Sequence, residues 1–234
     1  ILQSIDDSSL LSADGVTFTR KPASGQDEQL TGNTMTYNGI AYDLTTAVKT
    51  GNNTSVGAEH YNVLWTNEAG QEIKKITHPG GTETITWKDN DEQPFKDAGT
   101  YTITIAALSG EGHNFTGVRS RTFKIDPATL DRSWFVLMNG EYAQTDVYYD
   151  NMEHKPDVKV TTDTNVNVPT GLSVENDVDV TWDTEVFTNH GTKTVTITPK
   201  SGNKNYTGEV DRSFAIERAV IQKAWLAFST DEVR

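Results

Sequence analysis

The chain repeats itself, and that limits its fold more than any single motif does. Thr86-Trp87, Phe95, Gly99-Thr100-Tyr101-Thr102-Ile103-Thr104-Ile105, Ser109-Gly110, Asn114-Phe115-Thr116-Gly117, Arg121-Thr122-Phe123-Lys124-Ile125 and Trp134 form one series. They recur in order as Thr181-Trp182, Phe187, Gly191-Thr192-Lys193-Thr194-Val195-Thr196-Ile197, Ser201-Gly202, Asn205-Tyr206-Thr207-Gly208, Arg212-Ser213-Phe214-Ala215-Ile216 and Trp225. The spacing is 95 residues between Trp87 and Trp182, and 91 between Ile125 and Ile216. Tandem copies of a small unit imply a modular array rather than an enzyme core.

The repeated segments read as strands. Thr100–Ile105 and Thr192–Ile197 alternate strictly, with Thr on one face and larger side chains on the other. Thr84–Trp87, Asp179–Trp182, Arg121–Ile125 and Arg212–Ile216 form further matched pairs. Strands are also expected over Val16–Arg20, Tyr61–Thr66, Trp134–Met138 and Val158–Thr162. Gly and Asn mark turns at Tyr37-Asn38-Gly39, Asn139-Gly140 and Ser201-Gly202-Asn203. No stretch carries a convincing 3.6-residue period. Many short strands between turns predict an all-β chain of sandwich domains.

The repeat places the domains at 1–127, 128–218 and 219–234, the last as the opening of a third copy, because Ala128–Trp134 matches Ala219–Trp225. That match, and a start at Ile1 without Met, suggest a segment of a longer chain. Only Asp126-Pro127-Ala128-Thr129 joins the first two copies, so a stiff junction is expected. Tyr37 to Trp87 spans 50 residues and Tyr149 to Trp182 spans 33, so the first copy has 17 extra, assigned to an insertion near 51–81. Insertions map to loops or added hairpins, where binding sites concentrate.

Composition removes several functions. A net charge of −13 repels phosphate backbones and anionic lipid, so neither nucleic acid nor a membrane is expected as a partner. With no cysteine, a catalytic thiol, a thiolate metal site and a disulfide frame are excluded. The five histidines (His60, His78, His113, His154 and His190) stand singly in the sequence, in polar or turn-like contexts. No metalloprotease, nucleophile-elbow or phosphate-loop pattern is present. The expectation is therefore no enzyme.

Two candidate sites remain. Asp89, Asp91 and Glu92 cluster oxygen ligands near a turn, as do Glu175 to Asp177 with Asp179 and Asp183. Ca²⁺ takes such ligands, but neither run has the spacing of a known calcium loop, and a solvated acidic loop is the plainer reading. Aromatics at repeated positions (Trp87 and Trp182, Phe123 and Phe214) are expected in the core because both copies need them. Tyr61 and Trp65, beside the insertion and unshared, are the better candidates for a ligand-stacking surface. The sequons Asn114-Phe115-Thr116 and Asn205-Tyr206-Thr207 are read as turns in which Asn bonds local backbone.

Asp97-Ala98-Gly99-Thr100-Tyr101 resembles the Asp-x-Gly-x-Tyr signature of immunoglobulin-like domains. There the tyrosine hydroxyl bonds backbone at a strand corner. In the second copy the signature is lost, as Asn189-His190-Gly191-Thr192-Lys193. The wider pattern of Tyr-Asn-Gly, Ala-Gly-Thr-Tyr-Thr-Ile-Thr-Ile, Gly-His-Asn-Phe-Thr-Gly and Phe-Lys-Ile-Asp-Pro-Ala resembles the bacterial immunoglobulin-like repeats (MBG and Big types) of large surface proteins and adhesins. It covers most of residues 31–221. The resemblance implies tandem immunoglobulin-like β-sandwich domains in an extracellular stalk on a bacterial surface, monomeric and without a cofactor. It brings no catalytic residues. An unidentified surface glycan or protein is the partner class left open, with an accessory module of a surface enzyme as a further alternative. In such proteins a Lys sometimes cross-links to Asn or Asp, and Lys124 is the residue to inspect.

Overall fold

The computed structural model describes residues 3–4, 18–21, 28–30, 33–41, 43–45, 48–49, 55–79, 82–88 and 95–221. The protein is all-β: its one α-helix among the described residues is a single turn, α1 (Val174–Asp177). Two units form. Unit 1 comprises Ile1–Thr129, Pro169–Leu172 and Gly202–Thr207; unit 2 comprises Leu130–Val168, Ser173–Ser201 and Gly208–Arg234.

The strands of the first half are β1 (Gln3–Ser4), β2 (Phe18–Lys21), β3 (Glu28–Leu30), β4 (Thr34–Thr36), β5 (Asp43–Thr45), β6 (Tyr61–Thr66), β7 (Glu72–Thr77), β8 (Thr84–Trp87), β9 (Gly99–Ala107), β10 (Phe115–Thr116), β11 (Val118–Asp126) and β12 (Ala128–Thr129). Then come β13 (Phe135–Asn139), β14 (Tyr142–Ala143), β15 (Val147–Tyr148), β16 (Asp157–Val160), β17 (Val178–Trp182), β18 (Gly191–Pro199), β19 (Tyr206–Thr207) and β20 (Val210–Glu217). The expected strand at Trp134 starts one residue later. Trp134 closes a short 3₁₀ turn capped by the Asp131 carboxylate, which accepts from the Ser133 backbone N–H.

The main sheet of unit 1 runs β4-β11-β9-β6-β7-β8, and a smaller sheet runs β3-β2-β5. In unit 2 a four-stranded sheet runs β15-β20-β18-β17, beside β14-β13-β16. Period-2 alternation builds both main sheets. Tyr61, Val63 and Trp65 on β6, Tyr101, Ile103 and Ile105 on β9, and Phe123 and Ile125 on β11 are all buried. Lys193, Val195 and Ile197 on β18, with Phe214 and Ile216 on β20, do the same in unit 2. The Thr face stays half-exposed, with Thr104 Oγ1 2.8 Å from Ser120 Oγ across the strands. Phe123 and Phe214 are core residues, as the repeat anticipates, and so are Phe95 and Phe187.

Strand register corrects the tryptophan pairing read from the repeat. Trp65 lies opposite Ile103, and Trp182 lies opposite Val195. Ile103 and Val195 occupy the same place in the repeated motif. Trp65, not Trp87, therefore holds in unit 1 the position that Trp182 holds in unit 2. Ring packing agrees: Trp65 meets Phe95 edge-on at 5.0 Å, and Trp182 meets Phe187 at 5.0 Å. Trp65 to Phe95 spans 30 residues, whereas Trp182 to Phe187 spans 5. The extra length of unit 1 is the β7–β8 hairpin, added to the sheet beyond β6. The chance recurrence of Thr-Trp on β8 masks this in the sequence.

Both main sheets close with a parallel pair. β4 runs parallel to β11, with Met35 opposite Ile125. β15 runs parallel to β20, with Val147 opposite Ile216. The Tyr37 N–H donates to the Asp126 carbonyl and the Tyr149 N–H to the Glu217 carbonyl, each at 2.8 Å. Short parallel pairs recur as well, β1 with β10 and β12 with β19.

Within unit 1, the turn at Gly39 needs glycine twice over. Its φ is +77°, and a Cβ there would lie 1.9 Å from the Thr170 carbonyl oxygen.

Candidate functional site

The two ligand-stacking candidates lie in the core. Trp65 has no exposed surface and Tyr61 only 5%. Their alternation on β6 turns both inward, where Trp65, Phe95 and Tyr101 form an edge-to-face cluster with centroids 5.0 and 5.3 Å apart. Such pairs contribute about 0.5–1.5 kcal/mol each beyond area burial. A residue without surface offers no platform to a sugar or a partner protein.

Trp87 and Trp182, expected in the core, are only half-buried. Trp182 leans on Phe187 and, at 6.3 Å, on Phe214. Trp87 sits on the added hairpin. Lys74 lies directly opposite it in register, with its ammonium 4.3 Å from the Trp87 ring centroid. Lys74 is 1% exposed. A cation held over an indole face is stabilised by the ring quadrupole. The hairpin thus presents Trp87 with its inner face occupied by a lysine. Sequence alone does not show this, because Lys-Lys on β7 reads as a solvated pair.

None of the five histidines stands alone in the structure. His60 and His113, 53 residues apart, meet with Nδ1 atoms 3.3 Å apart. His78 is buried, its Nδ1 donating to the Tyr61 carbonyl at 2.9 Å. Its Nε2 faces a Glu83 carboxylate oxygen at 3.6 Å. That separation exceeds hydrogen-bond reach. His154 bonds Asp150 at 2.8 Å. Asp150 is also held by the Met152 backbone N–H, the largest of the effects that lower its carboxyl below the usual range, ahead of the His154 hydrogen bond. His190, exposed, accepts from the Arg218 guanidinium at 3.2 Å.

The Tyr101 hydroxyl bonds the Asp97 carbonyl at 2.7 Å, as the immunoglobulin resemblance implies. Burial first, and then the Asp97 charge, push this phenol up to about 12.

The calcium candidates Asp89, Asp91 and Glu92 lie outside the described residues. In the second acidic run, Ser173 caps α1 by accepting from the Asn176 N–H, and Asp177 Oδ2 accepts from the Ser173 N–H at 2.8 Å. Those oxygens serve helix capping. Among the described residues no three His, Asp or Glu side chains gather as a metal site. Lys124 is exposed and pairs with Asp126 at 2.6 Å. The Asn205 side chain bonds not local backbone but the Ala98 N–H at 2.8 Å and Asp97 Oδ1 at 3.1 Å, within unit 1.

A concave surface missed by sequence lies in unit 2. A cavity of about 440 Å³ is lined by Tyr149, Asn189, His190, Arg218, Ala219 and Ile221. It combines an aromatic ring, an amide and a guanidinium on an apolar floor, a chemistry suited to a small polar ligand. Its residues come from three separate segments, so no local motif announces it.

No protein-family model and no curated protein matches this chain.

Proposed function

We propose that the chain is a non-catalytic, load-bearing segment of tandem immunoglobulin-like domains, serving as a stalk in a bacterial surface protein. One observation carries this reading: each main sheet joins its first and last strands in parallel, β4 on β11 and β15 on β20. Tension applied at the ends of β4 and β11 pulls parallel neighbours in opposite directions. The bonds between them, including Lys124 N–H to the Asn33 carbonyl and Tyr37 N–H to the Asp126 carbonyl, each 2.8 Å, are loaded together rather than one at a time. Neighbours under shear resist more force than a hairpin peeled from one end. The tyrosine corner at Tyr101 and the shared register at Trp65 and Trp182 also support the immunoglobulin-like reading.

Single-molecule stretching of the chain tests it. Two separate unfolding events are expected, releasing about 33 nm for the span Thr34 to Asp126 and about 25 nm for the span Val147 to Glu217, at roughly 3.5 Å per residue. A single event, or extension without a resisting peak, would refute it.

A second reading, a glycan- or protein-binding module, is favoured by the unit 2 cavity rather than by Tyr61 and Trp65. Glycan or peptide binding that disappears in Arg218→Ala would support it, and binding unaffected by that change would remove the cavity from consideration.

A further inference from the structure

We propose that His60 and His113 form a two-histidine site for a late first-row divalent cation (Zn²⁺, Ni²⁺ or Cu²⁺), with Glu59 as the carboxylate that orients His60. Their Nδ1 atoms are 3.3 Å apart. Two imidazole nitrogens on one tetrahedral Zn²⁺, each at about 2.0–2.1 Å, are separated by about 3.3–3.4 Å. The pair therefore already stands at the spacing that shared coordination requires, and the rings are nearly perpendicular at 87°.

The outer nitrogen of His60 supplies an independent observation. Its Nε2 faces Glu59 Oε1 at 3.4 Å. That contact is longer than a hydrogen bond, but the carboxylate charge favours the proton on Nε2 and the lone pair on Nδ1, the tautomer that metal-ligating histidines use. The backbone leaves room for this carboxylate: a Cβ at Gly57 would lie 2.2 Å from Glu59 Oε1. The rings are also held in place. Phe115 packs against His60 with centroids 5.4 Å apart, and the His60 carbonyl accepts from the Leu108 N–H at 2.9 Å. His113 closes a turn through its N–H to the Gly110 carbonyl at 3.3 Å.

Without metal, one Nδ1 proton is shared between the rings. Metal takes its place when His113 moves that proton to its own Nε2, so no net proton is released from the neutral pair. No third protein ligand joins among the described residues, so water completes the coordination sphere and the site exchanges readily. Imidazole donors select Zn²⁺, Ni²⁺ and Cu²⁺ over the oxygen-seeking Ca²⁺ and Mg²⁺. Acidification abolishes binding, since only neutral imidazole coordinates.

The test is titration of the whole chain with ZnCl₂ and NiCl₂ by calorimetry. One saturable equivalent is expected. His60→Asn and His113→Asn each remove it, Glu59→Gln weakens it about tenfold, and His190→Asn leaves it intact. Should a variant fail to fold by circular dichroism, imidazole nitrogen NMR of the unaltered chain decides: Zn²⁺ must move the Nδ1 resonances of His60 and His113. Absence of binding, unmoved Nδ1 resonances, or binding retained in both histidine variants overturns the proposal.

Discussion

The Tyr101 hydroxyl donates a 2.7 Å hydrogen bond to the backbone carbonyl of Asp97, four residues earlier. The bond ties the start of β9 to the turn that precedes it. Tyr101→Phe should cost about 1 kcal/mol, the usual net value of one such bond, measurable by urea unfolding.

The same phenol sets an alkaline limit. Its pKa rises from 10.0 to about 12 in the fold, so the native state keeps a proton that the unfolded chain releases. The contribution is complete below about pH 10 and disappears as pH climbs towards 12, about 2–3 kcal/mol in all. Tyr61 is shifted in the same direction, by burial first and then by Glu59 and Glu83. Unfolding followed from pH 9 to 12 should therefore show a falling stability, with a shallower slope in Tyr101→Phe. An equal slope would exclude Tyr101 as its source.

The tryptophans should rank by burial rather than by their place in the repeat. Trp65→Ala opens a hole beside Phe95 and should cost about 3–5 kcal/mol. Trp87→Ala loses a half-buried ring and its contact with Lys74, about 1–2 kcal/mol. Denaturant midpoints of the two variants measure the difference, and the reverse order would restore Trp87 as the partner of Trp182.

Lys193 fills the Tyr101 position in unit 2 and is 6% exposed, on the face it shares with Val195 and Ile197. Lys193→Tyr should stabilise unit 2 by about 1 kcal/mol by exchanging a confined ammonium for a hydroxyl directed at the Asn189 carbonyl. A lowered melting temperature would show that the lysine is better accommodated than the ring.

The Lys124–Asp126 pair is short, but its side chains are 56% and 39% exposed. Solvent screening leaves such a pair under about 1 kcal/mol. Asp126→Ala should barely move the denaturant midpoint, and peptide mass mapping should find Lys124 unlinked.

Strict alternation made the strands legible. β6 and β8 fall on the expected boundaries, and β9 and β18 extend the expected segments at both ends. In β8, β9 and β18 Thr alternates with larger side chains, and in β6 buried Tyr61, Val63 and Trp65 alternate with half-buried residues. Which strands are neighbours was not legible, because a sheet is assembled from distant segments. Trp65 and Trp182 became equivalents only through Ile103 and Val195 on the adjoining strands. The inward placement of the two stacking candidates was hidden for a related reason. Tyr61 and Trp65 looked functional because they are unshared, whereas burial depends on which way a strand faces. The approach of His60 to His113 leaves no trace in spacing, since 53 residues of sheet and turn separate them.

The parallel closure of β4 on β11 also governs how the chain folds. Thr34 waits for Lys124, 90 residues further on, before it finds its partner. Contacts of such long sequence separation slow folding and leave an unpaired edge exposed while the rest of the unit is being made. In a chain with two such edges, the hazard is exchange, with β15 taking the place beside β11 that belongs to β4. Thr34-Met35-Thr36 and Val147-Tyr148, the residues that pair at these edges, share no side chain. An exchanged strand therefore brings the wrong side chains to the edge beside β11.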